Sequence, residues 1–153
     1  MRFAATAMAV LLLAAGGSAW GQSNSQGPAA FMAQNAQVEG VRVLLSGVQY
    51  KVVKPGPGTS RHPTPQDYVK VAYEGSLLNG KIFDSTIQNP DPPMFQLKTL
   101  IPGWIDVVKQ MQEGDEWVIW VPPELGYGPK AHGPIPGDSV LVFRLRLVSI
   151  LGG

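Results

Sequence analysis

One stretch near the middle of the chain carries hydrophobic residues at helical spacing. It runs L-I-P-G-W-I-D-V-V-K-Q-M-Q-E-G over residues 100–114, and its apolar positions cover one wide face of a helix. Pro102 suits the first helical turn, and Gly114 suits the residue after the last turn. Because so short a helix is marginal alone in water, we expect other elements to cover its apolar face. The apolar positions are Trp104, Ile105, Val107, Val108 and Met111.

Alternating apolar and polar residues predict strands on both sides of this helix. The pair Asn79-Gly80 is typical of a tight turn between two strands, and the Pro- and Gly-rich stretches 54–67 and 122–138 predict long loops. The sequence therefore predicts an α+β fold, with about five antiparallel strands wrapped around one short central helix. The strand segments are 48–53, 68–74, 82–85, 115–121 and 139–150, with a further short segment at 94–97.

Residues 1–21 have the composition of a secretory signal peptide. A basic start at Arg2 precedes an apolar run from Phe3 to Ala15 and small residues up to Gly21. The apolar run is too short to span a bilayer stably, and an uncleaved anchor is the alternative. We expect export, with cleavage after Gly21 or Ala19.

The rest of the chain divides at Gly47. Residues 22–46 are polar and small at first and predict a flexible lead-in with a short helix at 31–38. Residues 47–153 are long enough for one domain with its own core.

Composition excludes several kinds of function. The chain has 12 Lys and Arg against 11 Asp and Glu, and loss of Arg2 with the signal peptide leaves the two equal. A net charge near zero does not attract nucleic acid, or a membrane surface once the signal is cleaved. The absence of Cys excludes disulfides and thiol catalysis. The chain has only two histidines, His62 and His132, and without Cys these do not form a metal-binding cluster. We therefore expect no metal site and no cofactor.

The candidate chemistry lies in aromatic residues rather than in a nucleophile. The chain has no G-x-S-x-G elbow and no Gly-Lys-Ser/Thr phosphate loop, and a Ser–His–Asp set would need a histidine from a Pro/Gly-rich loop. Aromatic side chains on separate elements either form one apolar pocket or belong to the ordinary core. Asp84 is either a carboxylate at that pocket or a turn cap. The aromatics are Tyr73, Phe83, Trp104, Tyr127 and Phe143.

Five motifs resemble, in order, the signature blocks of the FKBP-type peptidyl-prolyl cis–trans isomerases. The resemblance extends from about residue 47 to residue 151. Residues 31–50 are similar to the join between an N-terminal helix and the catalytic domain in the exported, Mip-like bacterial branch, here without the long dimerising arm of that branch. The motifs are V-A-Y-E-G (71–75), G-K-I-F-D-S (80–85), I-P-G-W (101–104), L-G-Y-G (125–128) and V-L-V-F (140–143).

The resemblance implies an FKBP-like sheet around a short helix and a peptidyl-prolyl cis–trans isomerase activity. Such an enzyme would act in the bacterial periplasm on unfolded or proline-containing polypeptides, as a monomer, and its pocket could also take macrolide inhibitors. It would stabilise the twisted amide in an apolar pocket, without covalent catalysis and without a cofactor. The alternative is a chaperone or peptide-binding module that has the same pocket and little turnover.

The resemblance also implies roles for individual residues. Trp104 would form the floor under the proline ring, and the Ile101 N–H would meet a substrate carbonyl. The other catalytic positions would be Tyr73, Phe83, Asp84, Tyr127 and Phe143, and the substrate-binding positions would be Leu100, His132 and Ile135. Where many members have a wall phenylalanine we expect Pro93, and where many have an arginine that pairs with the aspartate we expect Asn89 or a neighbour.

Overall fold

One antiparallel sheet organises the structure, a computed structural model that describes residues 27–152. The predicted signal peptide lies outside the described residues. The sheet has seven strands rather than about five, and the additional ones are short. They are β1 (Arg42–Val43), β2 (Gln49–Lys54), β3 (Tyr68–Leu77), β4 (Ile82–Ser85), β5 (Met94–Gln96), β6 (Glu116–Val121) and β7 (Leu141–Leu151).

The strand order is β1-β2-β6-β7-β3-β4, and every pairing is antiparallel. β5 joins the same edge as β4, because β5 pairs with the start of β3 and β4 pairs with its end. The end of β3 therefore lies between β4 and β7, and the predicted aromatic positions of these three strands become neighbours.

Two α-helices lie in the described residues, α1 (Pro28–Asn35) and α2 (Pro102–Val108). Both start at the proline, whose missing N–H costs nothing in a first turn. Neither is long and apolar enough to cross a membrane. Sequence patterning placed the first helix at 31–38, three residues later than it forms.

The prediction that Gly114 ends the central helix is wrong. The helix ends at Val108, and Gly114 lies in a later turn with φ of 88°. After Val108 the N–H groups of Gln110 and Met111 donate to carbonyls three residues back, at 2.9 and 3.0 Å. The Asp115 carboxylate then accepts the Gln112 N–H at 2.8 Å, so that this N–H is not available to continue the helix.

The main hydrophobic core lies between α2 and one face of the sheet. Trp104 is 5% exposed, and Val107 and Val108 are fully buried. The alternation predicted for the last strand is observed, since alternate residues of β7 from Leu141 to Leu147 join this core. The predicted central helix therefore has the cover that its length requires.

A second cluster lies on the opposite face of the sheet, under α1. Phe31 and Met32 of α1 pack there with Val118 and Trp120 of β6. β6 is consequently buried along its whole length, although its sequence alternates. The side-chain N–H of Gln49 donates to the Met32 carbonyl at 2.7 Å and ties α1 to the sheet.

The loop over residues 54–67 holds the segment that leads into α2. The buried carboxylate of Asp67 accepts hydrogen bonds from Arg61 at 2.5 and 3.0 Å and from the Thr64 N–H at 2.7 Å. The Arg61 bond, followed by the Thr64 bond, holds the pKa of Asp67 well below its usual range. The Asp67 carbonyl in turn accepts the Leu97 N–H at 2.9 Å, which fixes the chain just before α2.

The burial of Phe31 predicts that α1 contributes to the stability of the domain. Phe31→Ala in the full chain removes an aromatic side chain that is 6% exposed, and we expect a loss of about 3–5 kcal/mol in the free energy of unfolding. Urea unfolding followed by tryptophan fluorescence measures this, because Trp120 lies in the same cluster. The control is Gln37→Ala, which changes an exposed side chain. A Phe31→Ala loss below about 0.5 kcal/mol, the range of ordinary surface substitutions, would contradict the role of α1.

Candidate active site

A small cavity opens between the start of α2 and the sheet. Its volume is about 170 Å³, close to the roughly 150 Å³ of an engineered cavity that holds one benzene ring. It therefore has room for one small ring. Apart from His132 and Ile135, all the site residues predicted from the sequence line it. The lining residues are Tyr73, Phe83, Asp84, Phe95, Leu100, Ile101, Trp104, Tyr127 and Phe143.

Trp104 lies at the centre of an edge-to-face aromatic cluster. Its ring centroid is 5.1 Å from that of Tyr73, 5.2 Å from that of Phe143 and 6.4 Å from that of Phe95, at interplanar angles of 79°, 89° and 90°. Each such pair contributes about 0.5–1.5 kcal/mol beyond the area it buries. The buried indole Nε1 has no hydrogen-bond partner among the described residues. The orientation of the indole is therefore set by its ring contacts and not by a hydrogen bond.

Two glycines allow the pocket to close to this size. A Cβ on Gly75 of β3 would lie 2.6 Å from the Phe83 ring and 2.8 Å from the Phe143 ring. A Cβ on Gly103 of α2 would lie 2.6 Å from a methyl of Val121. Gly75 therefore lets the Phe83 and Phe143 rings meet edge to face at 5.7 Å, and Gly103 lets α2 approach β6. Sequence reasoning gave neither glycine a role.

Tyr73 and Asp84 form the polar pair of the pocket. The Tyr73 hydroxyl donates to Asp84 Oδ2 at 2.5 Å. Burial of the ring, and secondly this hydrogen bond, raise the pKa of Tyr73 above its usual value. The phenol therefore stays protonated at any physiological pH and keeps the bond. Because the Tyr73 proton points at Asp84, this hydroxyl orients the carboxylate and is not free to donate to a ligand.

Two other donors are free. Ile101 precedes α2 as its N-cap residue, and within residues 27–152 its N–H makes no hydrogen bond while its carbonyl accepts those of Trp104 and Ile105. The Tyr127 hydroxyl likewise has no partner in that range, and the side chain is 38% exposed. Both residues line the cavity, so their donors are available to a bound carbonyl.

His132 and Ile135 stand apart from the cavity lining. The His132 ring stacks on Tyr127 with centroids 4.3 Å apart and an interplanar angle of 7°, so it packs against a residue that lines the cavity. Ile135 is 4% exposed and belongs to the main core, because its backbone bridge to His132 turns the loop and leaves the side chain facing inward. Their contact with a substrate stays a prediction.

Phe95 is the wall residue that sequence reasoning missed. Phe95 of β5 lines the cavity and packs 6.3 Å from the Tyr73 ring, whereas the expectation that Pro93 stands in the place of a wall phenylalanine of the family stays a prediction. Pro93 precedes β5 and is not a lining residue. The sequence feature that could have identified Phe95 is that it is the only aromatic residue in the short apolar segment 94–97.

A larger cavity lies elsewhere, on the α1 side of the sheet. Its volume is about 690 Å³, and it is lined by α1, by Val43 and by prolines of the late loop. It is an open groove without aromatic lining residues, whereas the smaller cavity combines six aromatic rings with free donors. We therefore place the candidate site in the smaller cavity.

Each of the two histidines contacts a neighbouring group. His62 Nδ1 lies 3.0 Å from the Met111 carbonyl, whereas His132 stacks on Tyr127. Within residues 27–152, no three His, Asp or Glu side chains gather in a way that could hold a metal ion.

Comparison with protein families gives two matches. A model described as FKBP-type peptidyl-prolyl cis-trans isomerase matches residues 59–148. A second model, described as the domain amino-terminal to that isomerase, matches residues 10–52. The first match includes every residue that lines the small cavity.

Individual relatives agree with these matches. The Coxiella burnetii protein named peptidyl-prolyl cis-trans isomerase Mip is 42% identical over 128 residues, which are 83% of this chain and 55% of the relative. The Legionella longbeachae protein named outer membrane protein MIP is 39% identical over 122 residues, 79% of this chain and 52% of the relative. The chain thus spans about half the length of the curated relatives it matches.

Solved structures of similar proteins have the same fold. The structure of FkpA from Escherichia coli has a TM-score of 0.75 at 34% identity, over 82% of this chain and 58% of that chain. A peptidyl-prolyl cis-trans isomerase from Pseudomonas syringae has a TM-score of 0.74 at 31% identity, over 81% of this chain and 90% of that chain.

The close approach at Gly75 predicts that Gly75→Ala distorts the pocket. The added methyl meets two aromatic rings, and we expect a loss of about 1–3 kcal/mol in the free energy of unfolding, with a weaker near-UV circular dichroism signal from the displaced aromatics. Gly152→Ala is the matched control, because a Cβ there meets nothing within 4 Å. Equal stability and equal near-UV spectra for the two variants would show that Gly75 does not set the ring packing.

Proposed function

The chain belongs to the family of FKBP-type peptidyl-prolyl cis-trans isomerases, and on that premise we propose that its aromatic pocket catalyses rotation about X–Pro bonds in polypeptides. The observation that supports this most is the meeting of six aromatic rings and two unengaged donors in a cavity with room for one ring. A prolyl ring on the Trp104 floor would fill that volume.

The physical basis is the difference between the planar amide and the twisted one. The barrier of about 18–20 kcal/mol reflects lost amide resonance, and uncatalysed exchange takes tens to hundreds of seconds. The twisted transition state is less charge-separated than the planar ground state, with a ketone-like carbonyl and an amine-like nitrogen. A water-poor pocket walled by Tyr73, Phe83, Phe95 and Phe143 therefore favours the transition state over the ground state.

The two free donors add directional stabilisation. The Ile101 N–H and the Tyr127 hydroxyl can each donate to a carbonyl of the bound chain. A net hydrogen bond contributes about 0.5–1.5 kcal/mol, and a millionfold acceleration requires roughly 8 kcal/mol. Hydrogen bonds therefore supply part of the effect, and the apolar surroundings and a shape that fits the twisted form supply the rest. No proton is transferred and no covalent intermediate forms.

Asp84 orients the site rather than attacking the substrate. Its Oδ2 accepts the Tyr73 hydroxyl, which fixes the tilt of a ring that contacts Trp104. The pair therefore connects the rim of the pocket to its floor.

The setting of this activity is also proposed. The composition of residues 1–21 and the relative named outer membrane protein MIP support export to the bacterial envelope, with the periplasm as the site of action. Proline-containing polypeptides in the course of folding are the proposed substrates. A monomeric state and binding of macrolide inhibitors remain proposals that rest on the family resemblance.

A client-holding function with little turnover is the second candidate. The exposed apolar side chains of Val43, 53% exposed, and Leu45, fully exposed, favour it, since Val43 also lines the large groove beside α1. Such surface could bind unfolded chains without the aromatic pocket.

The isomerase proposal predicts that activity depends on the floor and on one donor. In the full chain we expect Trp104→Leu to lower kcat/KM for short X–Pro peptides by roughly 10- to 100-fold, or about 1.4–2.7 kcal/mol of transition-state stabilisation. We expect Tyr127→Phe to lower it by roughly two- to tenfold, since it removes one hydroxyl donor. Exchange between cis and trans peptide, followed by NMR, measures both.

Tyr68→Phe is the matched control for Tyr127→Phe, because Tyr68 is an exposed tyrosine outside the cavity. Circular dichroism shows whether Trp104→Leu folds. If this variant does not fold, the activity of Tyr127→Phe still tests the proposal. A folded parent that does not accelerate exchange of any X–Pro peptide would refute the isomerase proposal. Suppression of client aggregation by that same parent would then support the second candidate.

A further inference from the structure

Asp84 is a carboxylate at the pocket without a cationic partner. Ion pairs among the described residues join Arg61 to Asp67, Lys70 to Asp91, Lys109 to Asp106 and Arg144 to Glu116, and none involves Asp84. The only hydrogen bond of its side chain in that range is the one from the neutral Tyr73 hydroxyl. Among the described residues, no cationic side chain therefore lies within ion-pair distance of the Asp84 carboxylate.

The chain that follows Asp84 supplies no compensating charge either. Residues 82–97, from β4 through the loop to the end of β5, contain no Lys, Arg or His. The other acid of this segment, Asp91, is already paired with Lys70 at 2.8 Å. The Arg146 guanidinium contacts this loop, and it donates at 3.5 Å to the Ile87 carbonyl rather than to Asp84.

The size of the cavity places the neighbours of a bound proline at its rim. At about 170 Å³ the cavity admits one ring, so the residues before and after the proline must lie outside it. Asp84 is exposed and lines the same cavity. A charged side chain next to the proline therefore lies within reach of the Asp84 carboxylate.

We propose that Asp84 makes this pocket select X–Pro segments with a basic residue, lysine or arginine, directly beside the proline. The inference rests on the proposed isomerase function and adds a substrate class to it. A cation beside the proline gains the attraction of Asp84, and an acidic residue there meets repulsion. Because the pair is exposed to water, the preference is modest, roughly two- to fivefold in kcat/KM.

The test uses peptides that differ in one charge. Two series place lysine, Nε-acetyl-lysine or glutamate either directly before or directly after the proline, and the full chain is assayed on each at low ionic strength. Acetyl-lysine keeps nearly the whole side chain and removes the charge. We expect at least one series to give a lysine to acetyl-lysine ratio of roughly two to five, with glutamate slowest. That ratio falls towards one in about 1 M salt, where the screening length is roughly 3 Å.

Two variants test whether Asp84 causes the preference for lysine over acetyl-lysine. Asp84→Asn keeps the size of the side chain and an acceptor for Tyr73, and we expect its lysine to acetyl-lysine ratio to fall to about one, whatever its overall rate. Asp91→Asn removes a carboxylate of the same segment that is already paired with Lys70, and we expect the parent ratio to persist. Because each ratio compares two substrates on one protein, a general loss of rate does not affect it.

The outcomes separate this inference from the proposed function. Acceleration of lysine and acetyl-lysine peptides to the same extent in both series overturns the inference and leaves the isomerase proposal standing. A lysine preference that survives Asp84→Asn also overturns it. A folded parent that accelerates none of the peptides refutes the proposed function itself.

Discussion

The edge-to-face packing of Trp104 is the contact on which both the core and the candidate site depend. The indole is 5% exposed and belongs to the main core, yet it also lines the cavity. It stands in the first turn of α2, three residues after Ile101, so one packing interaction positions a lining residue and a donor together. A substitution at this residue therefore affects stability and binding at once, and the two effects must be measured separately.

The packing around Trp104 requires that α2 lies close to the sheet and that the neighbouring rings lie close to β3. Gly103 brings α2 against Val121, and Gly75 lets the rings of Phe83 and Phe143 meet. On the other face of the sheet, α1 covers Trp120 and its neighbours, so the central strands are packed from both sides. The segment before residue 47, expected from the sequence to be a flexible lead-in with a short helix, thus includes a helix that packs against the central strands.

Much of this arrangement was predictable from residue patterns, and the exceptions have physical causes. Period-two alternation identified the long strands, because one face of each is buried against α2. The end of α2 was misplaced, since the Asp115 carboxylate accepts the Gln112 N–H and no helix propensity shows this. Phe95 was missed because β5 has only three residues, and so short a segment has no detectable period. The meeting of the aromatic residues in one pocket was predictable because five motifs occur in the order known from a family. The roles of Gly75 and Gly103 were not predictable, because they depend on distances between side chains in the folded structure.

The most direct test of the central claim is an NMR map of where an X–Pro peptide binds the full chain. If the small aromatic pocket is the binding site, the largest shifts on titration fall on the indole N–H of Trp104 and the amide N–H groups of Ile101 and Tyr127. Shifts that centre instead on the large groove, at Ala33, Val43 and Glu124, with the Trp104 indole unchanged, would contradict the account.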